Sequence, residues 1–121
     1  MLIFKSKTFA RWARKEGLSD AGLLDAVDEM EEGNIDANLG GRVYKKRVAL
    51  TGRGKRGSVR TLIAYQDGEK SFFMFGFAKN ERSTISKSEL KALKLMANDL
   101  LGKSDAQLKK ALKARELIEV K

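Results

Sequence analysis

The sequence predicts an α+β fold: a small antiparallel β-sheet with two N-terminal helices packed on one face, followed by C-terminal helices. Three observations predict it. Three strand-like runs, Val43 to Leu50, Val59 to Gln66 and Lys70 to Ala78, follow one another closely. Asp67-Gly68 between the second and third is a hairpin-turn pair. Capped amphipathic segments stand on both sides of this block.

In chain order, Leu2 to Lys5 reads as a first strand. Thr8 is the expected cap of a helix whose Phe9, Trp12 and Ala13 recur at i, i+3 and i+4, ending near Gly17. Ser19 caps a second helix, with Asp20 in the first turn, where the helix dipole favours negative charge. Leu23, Leu24, Val27 and Met30 form its apolar stripe, Gly33 stops it, and its acids are expected to face solvent. Asn34 to Gly41 reads as a loop. Ser86 and Glu89 spell a capping box, opening a helix that runs to Gly102 with Leu90, Leu93, Ala97, Leu100 and Leu101 on one side. Ser104 and Gln107 open a last helix with Leu108, Ala111 and Leu112, and Leu117 to Val120 reads as a short strand or docking segment. The order is β-α-α-β-β-β-α-α in one domain, 1–121, with 103–121 as a C-terminal helical extension.

Composition narrows the chemistry. At 121 residues the chain can build one core. It has no Pro, Cys or His, so a disulfide framework, a Cys/His zinc site, a Cys nucleophile and a His acid–base pair are all excluded. No apolar run approaches a membrane span, and Met1-Leu-Ile-Phe-Lys-Ser-Lys lacks a signal-peptide core, so a soluble cytoplasmic protein is expected. No cofactor or metal is called for.

The net charge of +9 is segregated: Glu16 to Gly41 holds eight acids and no base, Arg42 to Arg60 eight bases and no acid. Such a block creates a positive face that attracts polyanions, the plainer alternative being a solvated basic surface.

Within that block, Thr51-Gly-Arg-Gly-Lys-Arg-Gly-Ser-Val-Arg60 spells G-x-G-x-x-G. A dinucleotide fingerprint must open a helix, and here a strand follows. Ser58, not Lys, follows Gly57, which excludes a Walker A loop, and a kinase glycine loop lacks its His-Arg-Asp and Asp-Phe-Gly partners. A glycine-rich hairpin loop remains, offering Arg53, Lys55 and Arg56 to phosphates.

Strand alternation then sorts the remaining cations. Tyr44, Lys46, Val48 and Leu50 share the core face, with Lys46 the misfit, expected to snorkel at an edge. Lys45 and Arg47 point to the opposite face, and Arg60 joins them from the next strand. The third strand is apolar in both registers and delivers Lys79, Asn80, Glu81 and Arg82 at its end. The expected constellation is Lys45, Arg47, Arg60 and Lys79 on an open face, with Asn80 and Glu81 at its rim. Cations so placed suit RNA phosphate, either as a binding face alone or for cleavage through the RNA 2′-OH. Arg and Lys would then stabilise the phosphorane, and Lys45 or Lys79 would handle protons.

Gly41-Arg-Val-Tyr-Lys-Lys-Arg-Val-Ala49, Gly52 to Arg60, and Phe75-Gly-Phe-Ala-Lys-Asn-Glu-Arg82 together resemble the RelE/ParE superfamily of toxins from type II toxin–antitoxin systems, especially its HigB-like branch, over residues 1 to 101. The resemblance implies a RelE-like sheet with two N-terminal helices and ribosome-dependent, metal-independent mRNA cleavage that inhibits translation. It also implies a cognate helix-turn-helix antitoxin, with the ribosome and mRNA as further partners. The family's basic strand residues fall on Lys45, Arg47 and Arg60, and its motif after the sheet on Lys79, Asn80 and Glu81. Many members carry Arg where Asn80 stands and Tyr where Ser86 stands. Tyr65 is the alternative phenol, yet its parity points to the core. ParE-type members, which act on DNA gyrase without cutting RNA, leave a second function open, and a non-catalytic RNA-binding module is a third.

Overall fold

The computed structural model describes residues 1–50, 57–78 and 84–121. The three predicted runs form strands β3 (Val43–Ala49), β4 (Ser58–Gln66) and β5 (Lys70–Ala78). They pair antiparallel in sequence, with Gly68 at φ 75° turning the β4–β5 hairpin. β1 (Leu2–Ser6) lies beside β5 in the one parallel pairing among the described residues.

Two short strands extend this sheet. β2 (Ala37–Asn38) forms inside the segment expected to be a loop and pairs with β3, and β6 (Leu117–Glu119) pairs antiparallel with β1. The tail is therefore a strand. The six described strands lie in the order β2-β3-β4-β5-β1-β6, a mostly antiparallel sheet.

Helix starts follow their caps. α1 (Lys7–Glu16) begins two residues earlier than the Thr8 reading: Ser6, at the end of β1, accepts the Phe9 N–H and is the cap. Ser6 wins because its extended backbone suits both the last strand residue and an N-cap. Gly17, at φ 78°, closes the helix in the left-handed conformation that glycine adopts without strain. α2 (Asp20–Glu31) is capped by Ser19 as expected. α3 (Lys87–Leu101) and α4 (Asp105–Lys113) both open with complete capping boxes, Ser86 with Glu89 and Ser104 with Gln107. Among the described residues no helix is long and apolar enough to cross a membrane.

The expectation of an open second face is overturned for most of the sheet. α1 and α2 cover one face, where Phe9, Leu23, Val27 and Met30 meet Val48, Ile63 and Phe73. α3 and α4 cover the other, where Leu93, Ala97, Leu101 and Leu108 share a core with Val43, Leu62, Phe72 and Met74. The physical reason lies in β5. Phe72 and Phe73 are both fully buried on opposite faces, each worth about 2–3 kcal/mol in burial, so the sheet needs a cover on each side.

A β-bulge refines this strand. Leu62 pairs with Phe75 but Ile63 pairs with Phe73, leaving Met74 as the extra residue. Alternation restarts after it, so Phe75 and Phe77 join Phe72 on the α3 side. Gly76 consequently faces α1, and Trp12 lies directly on it, so close that a Cβ there would overlap the indole ring. The glycine is a seat for Trp12.

Candidate phosphate-binding site

Among the described residues, α3 and α4 do not reach the end of the sheet where β3 gives way to β4. Val43, Lys45 and Arg47 share that side of β3, and Arg60, Leu62 and Ala64 share it on β4. Val43, Leu62 and Ala64 lie beneath α3, whereas Arg47 is exposed and Lys45 and Arg60 are half-buried. The site is thus one end of a face rather than a whole open face.

Its geometry is a set of cross-strand rows. Arg47 is directly opposite Arg60, and Arg60 is directly opposite Phe77 on β5. One row further along, Lys45 is opposite Leu62, which is opposite Phe75. Like charges facing each other across an antiparallel pair destabilise a sheet. Among the described residues neither arginine, nor Lys45, forms an ion pair that would offset this.

Arg60 sharpens the point. Its Nη1 is buried and has no hydrogen-bond partner among the described residues. A guanidinium cannot discharge itself by losing a proton, so an orphaned buried N–H leaves a cost of about 1–3 kcal/mol. An oxyanion held between Arg47 and Arg60 would satisfy the nitrogen and neutralise the repulsion together. Phosphate and carboxylate oxygens are the acceptors that match this fork.

Lys46 is separated from these cations by its parity. Its side chain is 3% exposed and its Nζ is 2.7 Å from Glu29 Oε1 of α2, on the α2 face. It does not snorkel at an edge. The acid-rich helix supplies its partner: Glu29 stays half-exposed, as expected of the acids of α2, and reaches Lys46 from the rim. Thr61 Oγ1 donates to the Lys46 carbonyl at 2.8 Å, fixing the two strands at this point.

Tyr65 lies on the α1–α2 face, buried, in edge-on contact with Tyr44 at 5.5 Å. Its hydroxyl donates to Asp67 Oδ1 at 3.1 Å. Burial first, and then the hydrogen bond and negative charge of Asp67, hold the phenol well above its usual range. It is on the wrong face for the arginine pair and is kept protonated, as its parity implied. Ser86 is committed to the α3 cap.

The structure therefore brings together Lys45, Arg47 and Arg60 of the sequence-derived set. Arg53, Lys55 and Arg56, and likewise Lys79, Asn80, Glu81 and Arg82, lie outside the described residues. The described flanks of both segments reach the same end of the sheet: Leu50 N–H donates to the Gly57 carbonyl, and Ala78, the last residue of β5, pairs with Val59. Sequence reasoning missed Phe75 and Phe77 as neighbours of the arginine row, because an uninterrupted β5 would have placed them with Phe73. The only local hint of the bulge is Gly76, a residue that often marks one. Among the described residues no three carboxylates are grouped as a metal ion would require.

The family model described as the RelE toxin of the RelE/RelB toxin–antitoxin system matches residues 1–120. The match runs through α4 and β6, well beyond residue 101. No curated protein matches the chain.

Proposed function

Given that the chain belongs to the RelE toxin family and is the toxin of a toxin–antitoxin system, we propose that it is a ribosome-dependent endoribonuclease that cuts mRNA through the RNA's own 2′-OH. The observation that carries this reading is the Arg47–Arg60 pair, with a buried guanidinium nitrogen awaiting an acceptor. In the reaction the 2′ oxygen attacks the adjacent phosphorus and the bond to the 5′ oxygen breaks. The products are a 2′,3′-cyclic phosphate and a 5′-hydroxyl end. Two negative charges accumulate on the phosphorane oxygens, and two arginines preorganised in one row stabilise that charge more than the substrate's.

Lys45, one row behind, would hold the neighbouring phosphate or pass a proton. Lys79, Asn80 and Glu81, which follow β5 directly in sequence, would complete the acid–base set. Arg53, Lys55, Arg56 and Arg82 would hold the RNA backbone. The antitoxin that the family implies would be of the helix-turn-helix type, as in the HigB-like branch.

The test is to add the purified protein to ribosomes programmed with a defined mRNA and map the ends. Cleavage yielding a 2′,3′-cyclic phosphate, abolished by a 2′-deoxy nucleotide at the scissile position, is the expected result. Intact mRNA together with inhibited DNA gyrase would replace this reading with the ParE-type one.

A further inference from the structure

β3 is only partly covered by β2, which pairs with it at Tyr44 and Lys45. Among the described residues the furthest main-chain bond along that side is Asp36 N–H to the Lys45 carbonyl, at 3.1 Å. Antiparallel alternation decides where the following residues point. Leu50 N–H donates to the Gly57 carbonyl, toward β4, and Lys46 and Val48 share that direction. Arg47 and Ala49 therefore turn their N–H and C=O groups outward. Both residues are exposed, and among the described residues these groups meet no partner across the edge. An unpaired row of donors and acceptors is a template for a further strand.

This edge runs along a groove. Gly22, Asp25 and Glu29 of α2 form one wall, and the groove continues past Asn34 and Asp36. Gly22 keeps the wall back from the strand: a Cβ there would stand 3.5 Å from the Ala49 carbonyl oxygen. Asp25 and Asp36 are exposed, and among the described residues neither forms an ion pair. Glu29 adds a third carboxylate, half-exposed and shared with Lys46. In a chain of net charge +9 the groove inverts the local sign, because it draws on the acid-only segment between Glu16 and Gly41.

We propose that the groove between α2 and the uncovered end of β3 binds an extended basic segment of another protein, which joins the sheet as a strand beside Arg47 and Ala49. Main-chain pairing supplies the affinity, and Lys or Arg at alternate positions faces Asp25, Glu29 and Asp36. Charge selects this occupant. The carboxylates repel RNA phosphates. A second copy pairing edge to edge would set two acidic α2 helices side by side on one face of the joined sheet. The inference does not rest on the nuclease reading, since the groove lies on the α2 side and the arginine side chains lie on the α3 side.

The probe is a fluorescein-labelled peptide of about eight residues alternating Lys with Val, titrated against the full chain at about 50 mM salt. Saturable binding is expected. Asp25→Lys with Asp36→Lys should raise Kd at least about tenfold. Asp99→Lys with Glu116→Lys makes an equal charge change at exposed positions outside the groove and should raise Kd less than about threefold. Amide exchange reports the edge itself: Arg47 and Ala49 should exchange quickly in the free chain and slow when the peptide binds. The same peptide with Glu in place of Lys should leave those two amides unprotected. Ala49→Pro removes an outward N–H and should weaken binding while the fold is retained. Slow exchange at both residues in the free chain, no binding of the Lys peptide, or equal losses in the two charge variants would overturn the proposal. So would dimerisation abolished by Ala49→Pro, which would give the edge to a second copy. None of these readouts involves RNA, so failure here leaves the nuclease reading intact, and a failed cleavage assay leaves the groove intact.

Discussion

Arg47 and Arg60 face each other directly across the β3–β4 ladder, on the same side of the sheet, without an acid between them among the described residues. Such a pairing costs stability unless something offsets it. Replacing Arg47 with Ala should therefore leave the fold as stable as before or stabilise it, by about 0.2–1 kcal/mol. Urea unfolding checks this, and a loss of more than about 1 kcal/mol would show that Arg47 is structural.

The Lys46–Glu29 pair behaves in the opposite way. Lys46 is buried and Glu29 half-exposed, so the two truncations are not equivalent. Glu29→Ala leaves a buried ammonium without its carboxylate and should cost about 1–3 kcal/mol. Lys46→Met removes the charge and keeps the aliphatic stem, and should cost less than half of that. Equal losses in the two variants by chemical denaturation would contradict this account of the pair.

Tyr65 predicts a pH dependence. Its folded pKa is raised above the unfolded value, so the stability it contributes is complete below the ordinary phenol range, near pH 10, and is lost as pH rises beyond it. Absorbance titration should show Tyr65 ionising late, and Tyr65→Phe should flatten the alkaline fall in stability. The same variant should cleave RNA at the wild-type rate, since the phenol is on the other face from Arg60. A large loss of cleavage would contradict this and give Tyr65 a part in the reaction.

Gly76→Ala tests the bulge. The added methyl would overlap the Trp12 ring, forcing it off the sheet at a cost of about 1–3 kcal/mol. Trp12 fluorescence should shift to the red as the ring gains exposure, and it should not shift if the bulge is misplaced.

Much of this was legible in the sequence because local rules acted alone. Ser19, Ser86 and Ser104 are caps wherever they are placed, and alternation sorted Lys45, Arg47 and Arg60 from Lys46 without knowledge of the fold. The burial of the second face was not legible, since Phe72 and Phe73 read only as a strand apolar in both registers; which helices cover which side is a tertiary outcome. The Ser6 cap was hidden because one residue serves both β1 and α1. The Lys46–Glu29 pair joins residues seventeen positions apart, and side-chain periodicity alone does not select that partner.

The most direct test of the central claim is single-turnover cleavage of mRNA on programmed ribosomes by Arg60→Ala, beside its unfolding curve. The expected result is a rate about 10²–10³-fold lower with stability unchanged or raised, as the loss of a transition-state contact and the removal of an orphaned buried N–H together would give. Cleavage at the wild-type rate, or a slow rate explained by an unfolded variant, would contradict the assignment of Arg60 as the phosphate-stabilising residue.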